Sequence, residues 1–256
     1  MRGRGLRIFP DLEAVSREAA RRFAAVAGRA VRARGRFTVA LPGGSTPVPL
    51  FRLLAASPLR ERLPWDRTHV FWADERCVPP DDPASNYGLA RTHLLSRVPL
   101  TAPNVHRMRG EDPPAEAAAA FEADLRAAFG LPEGRRVPRL DLVLLGLGED
   151  GHTASLFPGS PVLEERERLV AAPFVERLNA HRLTLTLPVL NAARDLLVLV
   201  AGAEKAEALR DSFEPPSGPP SLPFHRIAPR SGRLTWLVDA AAAGLLRPAR
   251  PSPSPA

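Results

Sequence analysis

The sequence has a single cysteine, Cys77, in 256 residues. An intramolecular disulfide is therefore excluded, and packing has to hold the fold in what is expected to be a reducing compartment. Long apolar runs are also missing: none approaches roughly 18 uninterrupted residues, so no membrane span is expected. The first residues, MRGRGLRIFPDLEA, carry arginines but no apolar stretch of about 7–15 residues behind them, so no signal peptide is expected and the expected location is the cytoplasm. Aromatic residues make up 6%, too few to interleave stacking platforms with basic side chains. The formal charge is +7, yet the arginines are spread from Arg2 to Arg250 and lysine occurs once, at Lys205. That dispersal argues against a nucleic-acid partner. No His/Cys/Asp spacing resembles a metal site, and no GK[ST] follows a glycine loop, so neither a metal nor a Walker-type loop is expected.

What is present is apolar residue in quantity, 45% of the chain, enough to bury the core of one α/β unit. Short strands are expected at 6–10, 36–41, 68–73, 142–145, 169–172, 182–187, 196–201 and 234–238, with a further short one at 105–108. Helices are expected at 11–34, where Leu12, Val15, Ala19, Phe23, Val26 and Ala30 recur every three or four residues, and at 47–56, 87–97, 114–129, after Gly202 and at 240–246. Strands alternating with helices give an α/β fold with a mostly parallel sheet and helices on both faces, as a single domain over 1–246. Residues 214–223 read as a loop. The tail 247–256, RPARPSPSPA, cannot offset its ordering entropy and is expected to be disordered.

The strongest chemical signal is DLVLLGLGEDGHTASLFP, 141–158, a buried strand that breaks into glycines and acids and delivers a histidine. A strand running into such a loop is where an open α/β sheet places its ligands. His152 can take a proton from water and return it, and Asp150, two residues away, can fix its tautomer and stabilise the charge that develops. Thr153 and Ser155 add hydroxyls. In LPGGSTP, Gly43 and Gly44 free backbone amides and Ser45 and Thr46 supply hydroxyl donors at a helix start, an arrangement suited to an anion. Asp74, Glu75 and Arg76 follow another strand, and Arg76 offers a fork for phosphate or carboxylate. Arg182 opens the TLTL strand, and Lys205 sits just past a strand end. His181 and His225 read as structural or exposed.

These residues resemble those of the 6-phosphogluconolactonases in the glucosamine-6-phosphate isomerase/lactonase superfamily. The likeness rests on LPGGSTP, WADERCVPPDDPASNYG, LLGLGEDGHTASLFPG and GRLTWLVDAAAA, with similar stretches in RTHLLSRVPL and RLTLTLPVLNAARDLLVLVAG, and omits only the tail. It implies a Rossmann-like sugar-phosphate-binding fold and hydrolysis of 6-phospho-D-glucono-1,5-lactone, the second step of the oxidative pentose phosphate pathway, with no cofactor. His152 is implied as the general base with Asp150 its partner. Gly43, Gly44, Ser45, Thr46, Asp74, Glu75, Arg76, Asn86, Arg182 and Lys205 are implied to hold the phosphorylated substrate, and Glu149 is given no role. Phe224-His225-Arg226 stands where the family usually has small residues, and is expected to alter one site wall. The expected partner is a phosphorylated sugar lactone, with the chain a monomer or weak homodimer. Two rival readings are an amino-sugar-phosphate isomerase/deaminase, for which Asn-Glu-Pro is expected soon after the histidine in place of TASLFPG, and a non-catalytic sugar-phosphate or polyanion binder.

Overall fold

A computed structural model describes residues 4–132, 136–214 and 222–246. The chain opens with β1 (Arg4–Phe9) and α1 (Leu12–Arg34). The Asp11 side chain caps α1 by accepting the Ala14 N–H, and Gly35, at φ 74°, ends it in the left-handed turn that a Cβ disfavours. Then come β2 (Phe37–Leu41), α2 (Val48–Leu54), α3 (Leu59–Arg62), β3 (Thr68–Trp72), β4 (Asp74–Arg76), α4 (Asn86–His93) and α5 (Pro114–Ala128). The second half holds β5 (Leu142–Leu145), β6 (Val170–Ala171), β7 (Phe174–Val175), β8 (Ala180–Leu185), α6 (Leu187–Ala192), β9 (Asp195–Val200), α7 (Ala206–Phe213), α8 (Pro223–Arg226) and β10 (Arg233–Asp239).

Six strands form one sheet in the order β1-β10-β9-β5-β2-β3, every pairing parallel. Its central strands are apolar at nearly every position, as expected where both faces are covered. Successive residues of a strand point to opposite faces, and β9 and β10 show what covers each. Leu197 and Thr235 line a recess together with Val26 of α1, whereas Trp236 packs on Phe213 of α7 and Phe224 of α8, with ring centroids 5.1 and 4.3 Å away. The mostly parallel α/β sheet with helices on both faces is therefore the observed architecture.

A second, antiparallel sheet, β4-β8-β6 with β7 on β8, branches from the first. Ala73 is the branch point: its N–H donates to Leu41 O of β2, and its carbonyl accepts from Leu185 N of β8, each at 2.8 Å. This sheet is the main departure from expectation. The strand expected at 105–108 is a single bridge, Val70 to Val105. The chain then leaves that edge and passes the Arg76 backbone at Gly110, so closely that a Cβ there would sit 2.2 Å from the Arg76 carbonyl oxygen. The helix expected over 87–97 stops at His93 and goes on as a 3₁₀ turn, and the last helix is a 3₁₀ turn at Ala242–Leu245. The expected tail and most of the expected 214–223 loop lie outside the described residues.

One buried carboxylate ties the lower ends of the parallel strands together. Asp141, just before β5, accepts from the Thr38 N–H and hydroxyl of β2, each at 3.0 Å, and from Arg34 at the end of α1 at 2.6 Å. Its side chain is 4% exposed, so removing it orphans donors that water cannot fully reach. Asp141→Ala is expected to destabilise the protein by about 2–3 kcal/mol, discounted from a fully buried pair because Arg34 is partly solvated. A denaturant melt should show this, with the activity of the folded fraction unchanged.

Candidate active site

A cleft of about 630 Å³ opens at the carboxyl ends of the parallel strands, a size in the range of small-molecule sites. It lies where the sheet's winding reverses. From β2 the chain passes outward to β3, whereas β5, on the other side of β2, leads by way of the second sheet to β9. Neighbouring strands whose connections depart in opposite directions leave a crevice between their loops. Here those loops are 42–46 after β2 and 146–152 after β5.

The second of these loops makes the dyad. Gly148 N–H donates to His152 O at 2.8 Å, and Gly151 N–H donates to Gly148 O at 2.9 Å with Gly151 at φ 82°. The turn folds His152 back over Gly148, where a Cβ would fall 2.0 Å from His152 Nδ1. His152 Nδ1 and Asp150 Oδ1 are 2.5 Å apart; the carboxylate can only accept there, so Nδ1 is the donor, and in the neutral ring Nε2 is then the nitrogen with the lone pair. The imidazole stacks on Phe157 at 4.5 Å. Asp150 stays ionised: burial opposes that, but the His152 hydrogen bond and charge and the Arg177 guanidinium outweigh it and lower its pKa. The Thr153 and Ser155 hydroxyls are committed elsewhere. Thr153 Oγ1 donates to Gly146 O at 2.7 Å, and Ser155 Oγ donates to Asp74 Oδ2 at 2.8 Å.

On β4, the two-residue period separates neighbours in sequence. Asp74 and Arg76 line the cleft, and Glu75 points the other way. Glu75 accepts the N–H groups of Arg76, Asn86 and Tyr87 at 2.7–2.8 Å and so ties down the start of α4. Burial raises its pKa against those hydrogen bonds. Burial likewise raises the pKa of Asp74, although Arg76, Ser155, His152 and Arg182 pull it down. Asn86 is buried between β4 and the 42–46 loop. Its Nδ2 donates to Asp74 O at 2.9 Å, and its Oδ1 sits where a Cβ on Gly43 would come within 1.8 Å.

Gly43, Gly44, Ser45, Thr46, Asp74, Arg76, His152 and Lys205 thus line one cleft, while Glu75, Asn86, Asp150 and Arg182 stand behind it. Arg182 is opposite Arg76 in the β4–β8 register, and burial together with that neighbouring guanidinium lowers its pKa. It adds positive field behind Arg76. Lys205 Nζ lies 3.2 Å from Glu149 Oε1 at the rim. The segment Phe224–Arg226 is not a wall of this cleft: Phe224 is fully buried against Trp236, and His225 bonds Asp211 O. Phe157 and Arg177 also belong to the dyad's surroundings, and neither has a role in the reading from sequence. The Phe in SLFP was visible as a ring close to the histidine, whereas nothing local marks Arg177. Among the described residues, no group of three or more His, Cys, Asp or Glu is placed to hold a metal ion.

The arrangement can accept a proton at one end and hold an anion at the other. The family model for glucosamine-6-phosphate isomerases/6-phosphogluconolactonase matches residues 10–236. A 6-phosphogluconolactonase of Nostoc sp. is 46% identical over 214 residues, covering 83% of this chain and 86% of that one. The human 6-phosphogluconolactonase is 44% identical over 217 residues, covering 84% and 82%. Among solved structures, the devB protein superposes with a TM-score of 0.86 at 36% identity, over 95% of this chain and 100% of that one.

Proposed function

Because the chain belongs to the family of glucosamine-6-phosphate isomerases and 6-phosphogluconolactonases, we propose a division of labour among its residues for the reaction it carries out, hydrolysis of 6-phospho-D-glucono-1,5-lactone to 6-phospho-D-gluconate. His152 Nε2 takes a proton from water as the water oxygen adds to the lactone carbonyl. The imidazolium then returns that proton to the ring oxygen as the carbon–oxygen bond breaks. No covalent intermediate with the protein is needed. Asp150 holds Nδ1–H and stabilises the transient imidazolium. Donors of the Gly43–Thr46 loop face the developing oxyanion, and Arg76 and Lys205 hold the phosphate, with Arg182 reinforcing the field.

The observation that carries this reading is the His152–Asp150 pair, 2.5 Å apart, in the same cleft as Arg76 and Lys205. A lactone is an activated ester, so one acid/base group supplying roughly 10²–10⁴-fold, together with positioning, matches the demand. The proposal places the reaction in the cytoplasm, in a monomer or weak homodimer with no nucleic-acid partner. Among the described residues, no helix is long and apolar enough to cross a membrane.

Purified protein added to freshly generated 6-phosphogluconolactone should release acid faster than spontaneous hydrolysis, and a rate equal to the blank overturns the reading. Ammonia release from glucosamine 6-phosphate would mark the isomerase/deaminase instead. Lys205→Ala is expected to raise KM for the phosphorylated lactone about 10-fold or more, the scale of one charge-assisted contact, with little change for unphosphorylated gluconolactone. An unchanged preference between the two lactones removes Lys205 from the phosphate site.

A further inference from the structure

Arg177 stands beside the dyad and has no part in that division of labour. Arg177 lies in the 3₁₀ turn Glu176–Leu178, which with Asn179 in the left-handed region (φ 44°) joins β7 to β8. It therefore reaches the dyad from the antiparallel sheet and not from any strand of the parallel one. Its Nη2 is 2.6 Å from Asp150 Oδ2, and its guanidinium lies 4.6 Å over the Phe157 ring. Phe157 in turn stacks on His152 at 4.5 Å and 28°. Guanidinium and imidazole both pack on the phenyl ring, and the Asp150 carboxylate bridges them with one oxygen on Arg177 and the other on His152.

We propose that Arg177 is a positioning residue for His152: it fixes the Asp150 carboxylate, shares its charge and backs the imidazole through Phe157. The inference rests on His152 as the proton acceptor. A carboxylate held only by the histidine could rotate, and its undivided charge would favour the protonated ring, which accepts nothing. A second cation on the outer oxygen locks the plane and leaves the inner oxygen enough charge to steady the imidazolium as it forms. The other charged groups around the dyad do not duplicate this. Asp74 faces His152 from β4 and is held by Ser155 and Asn86, while Glu149 turns to Lys205. Arg177 is absent from the cleft lining, which separates it from the proposed phosphate ligands. Because its side chain is 50% exposed, solvent screens the charge effect and geometry carries more of the expected loss.

The test compares wild type, Arg177→Ala and Arg177→Lys on phosphorylated and unphosphorylated gluconolactone, across pH. Arg177→Ala is expected to lower kcat about 5- to 10-fold on both lactones with KM little changed. The acid limb of kcat/KM should move upward by roughly half a pH unit, the scale of a half-exposed ion pair. Arg177→Lys should return the limb toward wild type while recovering only part of kcat, since ammonium supplies charge without the stacked fork. A KM increase confined to the phosphorylated lactone would make Arg177 a phosphate ligand and overturn the proposal. So would an unchanged kcat and acid limb alongside a lowered thermal midpoint, the signature of a plain surface ion pair. An inert wild type would instead overturn the lactonase reading. The His152 ring resonances, followed by NMR against pH in wild type and Arg177→Ala, still decide the Arg177 contact in that case: coincident curves overturn it, and an upward shift in the variant supports it.

Discussion

His152→Ala is expected to lower kcat for 6-phosphogluconolactone about 10³-fold, with KM within about 3-fold of wild type, because the lost group acts on the proton and not on the phosphate. The side chain is 31% exposed and stacks on one ring, so its removal opens no core cavity and the fold should survive. What remains is binding and whatever stabilisation the Gly43–Thr46 loop gives the oxyanion. The residual rate should therefore lose the acid limb of its pH profile while remaining saturable. His152→Gln keeps much of the shape but cannot shuttle a proton, and should be as impaired as the alanine variant. Acid release corrected for spontaneous hydrolysis measures both. Equal rates for wild type and either variant would remove His152 as the base.

Gly148→Ala should have the next largest effect without removing any functional group. The added Cβ would lie 2.0 Å from His152 Nδ1, 2.2 Å from its Cε1 and 2.6 Å from Asp150 Oδ1. At distances below 3.0 Å something has to shift, and the atoms met are side-chain atoms of the dyad, so it is the dyad that gives way. The expected result is a kcat loss of about 10²-fold, the consequence of moving a reacting group by an ångström or so, with the thermal midpoint nearly kept. Gly146, two residues earlier in the same loop, is the control. A Cβ there meets no atom within 4 Å, so Gly146→Ala leaves the dyad undisturbed and any loss would arise on the substrate's side. Similar kcat values for the two variants would mean that Gly148 does not set the dyad's geometry.

The sequence makes legible what repeats locally. The period of α1, the apolar run of β5, and the glycines and histidine that follow it all depend on neighbours within a few residues, and each falls where expected. The parallel sheet follows from strands alternating with helices. What stays hidden depends on contacts between distant segments. Asp74 and Glu75 look equivalent as letters, but a three-residue strand, paired with β8 more than 100 residues later, sends one into the cleft and the other to the start of α4. Asn86 and Arg182 share the motif segments yet sit behind the site for the same reason. The Thr153 and Ser155 hydroxyls, read beside the histidine, are spent on Gly146 and Asp74, partners that only the folded chain brings near. Arg177 lies 25 residues beyond His152 on a hairpin, and no spacing rule connects them.

Ala73 joins the two sheets with both of its backbone groups, one to Leu41 and one to Leu185. Asp74 follows it directly, so the floor of the cleft begins at the residue that stitches the sheets together. A hinge between two bodies needs a strip of chain free to absorb dihedral change, and here that strip is pinned on both sides. Enclosing a substrate would then fall to the loops at the rim, such as 42–46, while β4, which carries Asp74 and Arg76, keeps its place between the sheets.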